Sequence, residues 1–150
     1  MQDPSVDDRH DLSRFLNAQE AVYDRALAEI KRGRKSSHWM WFIFPQFEGL
    51  GFSSTSRRYS IKSIDEAQAY LNHPVLGKRL IACAEAVLGV DGRSAFAIFG
   101  SPDDMKLKSS ATLFEKVSPP DSVFSRLLDK YYNGERDEKT LALIVKSSNA

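Results

Sequence analysis

Six consecutive apolar residues, WMWFIF at positions 39–44, constrain the fold more than any other feature of this chain. A segment with bulky apolar side chains at every position has no polar face to turn toward water, so it must be covered on several sides. Periodicity does not separate helix from strand in such a run, but its short length and the Pro45 that follows favour one or two buried helical turns. The first interpretation is therefore a core segment, because its aromatic rings can dominate the energetics of packing.

Polar residues border this apolar run and suggest a second interpretation. Lys35 and His38 precede it, and Gln46 follows it, ahead of a glycine-containing stretch at 47–56. Such a combination suits a pocket in which a planar ring stacks on an indole while a cation and an amide recognise its polar substituents. Both interpretations, core segment and pocket wall, are open at the level of sequence.

The residues before the apolar run predict one long first helix. Apolar residues recur there at helical spacing and form a single stripe: Leu12, Phe15, Leu16, Val22, Tyr23, Ala26, Leu27 and Ile30. Basic residues and Gly33 in KRGRK, residues 31–35, are expected to end this helix, because cations favour the negative end of its dipole and glycine suits its C-cap. Gln19 interrupts the stripe, so its buried amide needs a partner, either a neighbouring backbone carbonyl or a ligand.

Capping and stop signals predict several more helices downstream. The expected starts are the capping box SIDE at 63–66, Pro74, Ser101 as a cap, the SPPDSVF segment from residue 118, and Asp137; the expected ends are His73, Gly89, about Val117, Gly134 and Leu143. We therefore predict an all-α, compact single-domain bundle of about six or seven helices. The alternative is an α+β fold with a small strand near residues 95–99, AFAIF.

Length and composition indicate one globular domain. A chain of 150 residues with 42% hydrophobic and 27% charged residues can bury a substantial core. The polar start predicts a flexible tail at residues 1–10, followed by a single helical domain at 11–146. We find no internal repeat or linker that divides it.

Charge and cysteine content restrict the partners and the compartment. The 21 basic and 20 acidic residues leave a formal charge of +1, which argues against strong nucleic-acid or membrane binding. Cys83 is the single cysteine, so it forms no intramolecular disulfide, and its apolar neighbours predict a buried thiol. The N-terminus lacks the pattern of a secretory signal and no stretch reaches the length of a membrane span, so we expect a cytoplasmic protein.

Established catalytic and metal-binding motifs are missing from the sequence. His10, His38 and His73 occur outside any HExxH or CxxC context, and no G-x-S-x-G elbow is present. The 47–56 stretch matches neither a Walker loop nor a dinucleotide fingerprint. No cofactor or metal is therefore expected. If the protein is an enzyme, His38 is the candidate acid or base, because imidazole titrates near neutral pH.

A candidate binding site can be assembled around the aromatic run. Lys106 and Lys108 occur beside Ser109 in DDMKLKSSATLF, but side chains two apart on a helix diverge by about 200°, so at most one lysine joins the site. The candidate ligand-binding residues are Gln19, Tyr23, Lys35, Trp39, Trp41, Gln46, Ser53, Lys106 and Ser109.

Several blocks in a fixed order carry a resemblance to a known family. HWMWFIFPQ, HPVLG and KLKSS, within residues 14–144, are similar to the bacterial domain of unknown function numbered 1810. The resemblance implies a small, mainly helical, single-domain protein. Members are sometimes labelled calpastatin, an inhibitor that is largely disordered when free; the globular composition and helix patterning here argue against that label.

A looser similarity bears on function. NAQEAVY, residues 17–23, with the aromatic run resembles small helical domains that process ADP-ribose-linked nucleotides, although the acidic residue that such chemistry needs is not identifiable. The expected function is binding or processing of a small anionic or nucleotide-like ligand in an aromatic-lined pocket. The alternative is a non-enzymatic module that binds protein or nucleic acid.

Overall fold

The structure is a computed structural model that describes residues 8–148. Ten α-helices follow one another along these residues. They are α1 (Ser13–Glu20), α2 (Tyr23–Lys31), α3 (Met40–Ile43), α4 (Ser54–Arg58), α5 (Ile64–Asn72), α6 (Leu76–Leu88), α7 (Ala95–Phe99), α8 (Asp103–Glu115), α9 (Val123–Tyr132) and α10 (Glu138–Ser148). This part of the chain contains no β-strand, and an isolated bridge joins Phe47 to Ile61.

The all-α prediction is confirmed, whereas the count of six or seven helices is too low. Helices α4 and α7 have five residues each, which is too short for a periodic pattern, and the long first helix is divided in two. The alternative strand at 95–99 is wrong. These residues form α7, which Ser94 begins by accepting a hydrogen bond on Oγ from the Ala97 N–H at 3.0 Å.

The first helix is interrupted at Ala21 and Val22. The Val22 N–H donates to the Gln19 carbonyl, three residues back, and Val22 has a φ of −122°, outside the helical range. Apolar residues on both sides of the turn, such as Phe15 and Ile30, are nevertheless fully buried. The apolar pattern therefore identifies the buried side correctly but does not detect the turn.

The end of α2 follows its sequence signal. Gly33 adopts a φ of +79° and donates its N–H to the Ile30 carbonyl at 2.8 Å, while the Arg34 N–H donates to the Glu29 carbonyl at 3.1 Å. These two bonds form a Schellman motif, in which glycine takes the left-handed position without steric cost. The predicted glycine stop is thus confirmed, and it reverses the chain toward the aromatic run.

The predicted serine and aspartate caps downstream are confirmed with one exception, and α6 begins at Leu76, two residues after the predicted start at Pro74. Ser63 accepts from the Glu66 N–H at the start of α5, and Asp137 accepts from the Thr140 N–H at the start of α10. Ser101 was the expected cap of α8, but that helix begins after Pro102 and has no side-chain capping bond. The last helix also continues past Leu143, to Ser148.

Two thirteen-residue helices, α6 and α8, support the domain. Helices α5 and α9 each pack against both of them, α2 packs on α6, and α7 and α10 pack on α8. Gly77 permits the close approach of α5 and α6, because a Cβ there would lie 2.0 Å from the Leu71 carbonyl oxygen. Cys83 on α6 is buried as predicted, and this burial raises the pKa of its thiol to about 12.

Two further expectations concern the ends of the chain and its environment. Most of the predicted tail, residues 1–7, lies outside the described residues, so the boundaries of the tail and of the domain at 11–146 stay predictions. No helix within residues 8–148 is long and apolar enough to span a bilayer. Cytoplasmic location also stays a prediction.

Candidate functional site

The short helix α3 begins between the two tryptophans of the apolar run. Trp39, immediately before α3, is only 1% exposed, and its indole Nε1 donates to Glu29 Oε1 at 2.8 Å. Trp41, two residues later, is partly exposed. The run is therefore core at Trp39 and surface at Trp41, which combines the two interpretations of the sequence.

Glu29 is a buried carboxylate that organises the loop before the apolar run. Besides the Trp39 indole, it accepts bonds from the Ser36 N–H at 2.8 Å and from both the N–H and the hydroxyl of Ser37, at 3.0 and 2.5 Å. Burial raises the pKa of the Glu29 carboxyl, but the hydrogen bonds outweigh burial and hold that pKa at about 2. The Glu29 carboxylate is therefore ionised, and both of its oxygens accept hydrogen bonds from within the fold.

Sequence reasoning missed Glu29, although a signal was present. Glu29 lies three residues after Ala26 and next to Ile30, both fully buried members of the stripe. A carboxylate on that side of α2 requires donors, and the serines of the following loop supply them.

On the other side of α3, Trp41 faces a cluster of charges on α8. Lys106 Nζ lies 3.6 Å from the centroid of the Trp41 ring, within the range of a cation–π contact. Asp103 binds both predicted lysines, with its Oδ1 3.2 Å from Lys106 Nζ and its Oδ2 2.9 Å from Lys35 Nζ. The cluster therefore contains two ammonium groups and one carboxylate, a net charge of +1.

Two adjoining depressions share Trp41 and Lys106, and together we call them the indole cleft. The larger, of about 310 Å³, also includes Gln46 and Ser109 among its lining residues. The smaller, of about 80 Å³, also includes Lys35, His38 and Trp39. Seven of the ten predicted site residues thus line the indole cleft.

The polar groups of the indole cleft differ in how freely they can meet a ligand. His38 is exposed at the smaller depression, whereas the Lys35 side chain is only 8% exposed. Ser109 is buried, and its hydroxyl already donates to the Met105 carbonyl at 3.1 Å. Lys106 is therefore the central cation of the cleft, since it touches both depressions. Lys108 lies elsewhere on α8, above the Tyr132 ring and 3.6 Å from Glu135.

The other three predicted residues lie outside the indole cleft. Gln19 is buried and donates to the Phe42 carbonyl at 2.7 Å and to the Tyr70 hydroxyl at 3.0 Å, so its partner is a backbone carbonyl, one of the two expected possibilities. Tyr23 lies beneath the Arg79 guanidinium, which also donates to the Gln19 amide oxygen. Ser53 caps α4 through a bond from the Ser56 N–H. Helical spacing alone does not reveal that these side chains turn away from Trp41.

Residues 8–148 contain no group of three or more histidine, cysteine, aspartate or glutamate side chains that could hold a metal ion. Besides the carboxylates of Asp103 and Asp137, the indole cleft contains ammonium groups, an amide, an imidazole and an indole. Such groups bind anions and planar rings.

Comparisons with known proteins agree with this architecture. The crystal structure of the conserved hypothetical protein Rv1873 from Mycobacterium tuberculosis is similar to this chain, with a TM-score of 0.88 and 51% sequence identity, over 90% of this chain and 96% of that chain. A comparison with curated proteins gave no match. The model of the family described as "Protein of unknown function (DUF1810)" matches residues 9–144, and the chain belongs to this family.

Proposed function

We propose that the indole cleft binds a small anionic ligand that carries a planar ring, as a nucleotide does. The observation that supports this most is the Lys106 ammonium, 3.6 Å from the centroid of the partly exposed Trp41 ring, at the junction of two depressions. The two lysines at this position share one carboxylate, that of Asp103. An anion entering the cleft would supply the missing charge.

The charges of the cluster define the part of the ligand that binds there. Asp103 neutralises one of the two lysines, so the unbalanced positive charge is shared between Lys35 and Lys106. The Lys35 side chain is 8% exposed and that of Lys106 is 19% exposed, so Lys106 is the better placed of the two to turn toward a ligand oxygen. A phosphate or carboxylate bound there would gain a charge-assisted hydrogen bond.

The other groups of the cleft would orient the ring. One face of Trp41 is covered by the Lys106 ammonium, so a planar ring would pack on the remaining indole surface toward the larger depression. Gln46 lines that depression and offers both a donor and an acceptor to ring substituents. If the bound ligand is also processed, the exposed His38 is the acid or base within reach of the smaller depression.

A ligand screen by thermal unfolding tests the proposal. The panel contains nucleotides, NAD, ADP-ribose and small phosphorylated metabolites, each added to the wild-type protein and to Lys106→Gln and Lys108→Gln. A ligand at a hundred times its dissociation constant adds about 2.7 kcal/mol to the free energy of unfolding. We expect a stabilising ligand whose effect is lost in Lys106→Gln and kept in Lys108→Gln, because Lys108 lies outside the cleft.

Either of two outcomes would count against the cleft as a ligand site. One is a panel without any stabilising compound. The other is equal loss of the effect in both lysine variants, which would indicate that only the overall charge of α8 matters. A turnover assay on wild type and His38→Ala, with any ligand found, then separates an enzyme from a binding protein.

A protein-binding module is the second candidate, and exposed apolar side chains near the cleft favour it. Met105, which lines the larger depression, is 47% exposed, and Phe52, next to the lining residue Gly51, is 77% exposed. Apolar side chains so placed can anchor a protein partner. Met105→Ser with Phe52→Ser would weaken a protein complex while leaving small-ligand binding at Lys106 intact.

A further inference from the structure

We propose a second anion site in this protein, a basic depression that binds the phosphate group of a small phosphorylated molecule. It is lined by Arg9, His10, Asp11 and Arg14 from the start of the described chain and by Arg58, Lys62, Ser63 and Glu66 from α4, α5 and the segment between them. Its volume is about 500 Å³, which is the size of a small-ligand pocket. It shares no lining residue with the indole cleft.

A buried ion pair between Arg14 and Glu66 forms the floor of the basic depression. Arg14 is 6% exposed and donates five hydrogen bonds, one of them to Glu66 Oε2 at 2.6 Å. The other four go to the backbone carbonyls of His10, Asp11, Arg58 and Ser60. Arg14 therefore fixes both walls and is a structural residue, because no N–H remains for a ligand.

The Glu66 carboxylate is likewise neutralised and tied to the wall. Its second oxygen accepts from the Lys62 backbone N–H at 2.9 Å, and its own N–H is capped by Ser63. The paired charges of Arg14 and Glu66 leave little field at the opening. What a ligand meets is therefore set by the side chains at the rim.

The rim carries an excess of positive charge. Among the described lining residues, Arg58 and Lys62 contribute two exposed cations against one rim carboxylate, that of Asp11, whose Oδ1 accepts from the Ser13 hydroxyl at 3.1 Å. Arg58 and Lys62 are exposed, and neither forms an ion pair with any residue of the 8–148 segment.

The existing contacts of these two side chains are weak and can be exchanged. Lys62 Nζ lies 3.4 Å from the Arg57 carbonyl, and the Arg58 guanidinium lies 5.6 Å from the Tyr59 ring centroid. An ammonium and a guanidinium that line the same concave surface suit a phosphate, since the guanidinium fork can bind two of its oxygens. The concave shape and the overall charge of +1 favour a small molecule over a nucleic-acid strand, whose binding depends on an extended positive surface.

Pyrophosphate is the probe for this site, and isothermal titration calorimetry measures its binding. The test variant is Arg58→Gln with Lys62→Gln, and the matched control is Arg57→Gln with Lys78→Gln, which removes the same charge from exposed positions outside the depression. We expect the dissociation constant for pyrophosphate to rise at least tenfold in the test variant and to stay within about twofold in the control.

Backbone amide shifts in the wild-type protein give a second readout that needs no variant. Pyrophosphate should move the amide signals of residues 9–11 and 62–65 in a saturable manner. The absence of saturable binding, or the same dissociation constant in the test and control double variants, would overturn this site. Tighter binding of a single-stranded oligonucleotide through Arg58 and Lys62 would overturn the small-molecule assignment. A compound whose stabilising effect survives in Lys106→Gln but is lost in Arg58→Gln with Lys62→Gln would count against the indole cleft and support this site, because the two share no lining residue.

Discussion

Trp39 and Trp41 belong to the same apolar run, yet they serve different regions of the molecule. Around Trp39, the Glu29 carboxylate receives four hydrogen bonds and is itself 2% exposed. Around Trp41, the Asp103 carboxylate is shared by two lysines, one of which lies over the indole. In the first region the buried carboxylate is satisfied by four hydrogen bonds from the protein itself, whereas the second leaves a positive charge at a partly exposed surface.

The comparison shows how one run of apolar residues can build both a core and a binding surface. Trp39 precedes α3 with a φ of −145°, outside the helical range, whereas Trp41 lies within α3, so the two indoles meet different surroundings although they are only two positions apart. A buried acceptor beside one indole contributes stability. A cation over the other contributes little stability and is available to a ligand. The predictions below test this division.

The largest effect should come from Glu29→Ala. The change removes the acceptor of the Ser36 and Ser37 N–H groups and of the Trp39 indole, all at a site closed to water. Each unsatisfied buried donor costs about 1–3 kcal/mol, and the losses are not additive, so we expect the free energy of unfolding to fall by at least about 3 kcal/mol. Urea denaturation measures it.

Glu20→Ala is the matched control for this variant. Glu20 is exposed at the last position of α1, and its removal should change the free energy of unfolding by less than about 0.5 kcal/mol. A loss below about 1 kcal/mol in Glu29→Ala would mean that the loop before Trp39 does not depend on the carboxylate, and the contrast between the two regions would disappear.

The next effect is a dependence of stability on pH. The pKa of Glu29 is lowered from 4.5 to about 2 in the folded protein, so its contribution to stability is fully present above about pH 4.5 and is lost as the pH falls toward 2. The free energies of unfolding of wild type and Glu29→Gln should therefore converge over this range. A gap that stays constant from pH 6 to pH 2.5 would exclude Glu29 as the titrating group.

Helix starts and ends that depend on neighbouring residues could be predicted from the sequence, and they account for most of the helical fold. Gly33, Ser63 and Asp137 act through bonds to backbone groups within a few positions of the chain, and such bonds are encoded by short sequence patterns. The turn at Val22 was not predictable in this way. It leaves the spacing of buried apolar residues nearly unchanged, and that spacing is the only signal that periodicity provides.

The candidate site was predictable in composition but only partly in geometry. The proximity of Lys106 to Trp41 joins α8 to α3 across more than sixty positions of the chain, and only the packing of the helices creates it. Gln19 was correctly placed inside the domain, but sequence does not state which side of α3 it contacts. The basic depression likewise depends on Arg14, whose partner Glu66 lies 52 positions away.

A smaller effect is expected for Asp103→Asn. The amide keeps an acceptor for Lys35 and Lys106 but removes the charge, so the nearly buried Lys35 loses its ion pair, and we expect a cost of about 1–2 kcal/mol. At the same time, anion binding at the indole cleft should strengthen severalfold, because a repulsive carboxylate is gone. Calorimetric titration with the ligand from the screen measures the affinity.

Asp91→Asn is the control for Asp103→Asn, in which stability should fall while anion affinity rises. The Asp91 carboxylate is 99% exposed and lies 3.7 Å from Lys130, an exposed pair that contributes little to stability. Neither stability nor anion affinity should change in this variant. Weaker anion binding in Asp103→Asn would contradict the proposal that surplus positive charge at the cleft recruits the ligand.

The smallest effect on stability should come from Trp41→Phe. Trp41 is partly exposed, and no hydrogen bond of its indole supports the fold within residues 8–148, so we expect a loss below about 1 kcal/mol. Trp39→Phe should cost more, because it removes the donor to Glu29 and leaves a void in a closed site. Ligand affinity should show the reverse order, since only Trp41 presents an accessible indole beside Lys106. If both variants lost stability equally and neither lost affinity, the apolar run would be core throughout, and the ligand would have to bind elsewhere on the molecule.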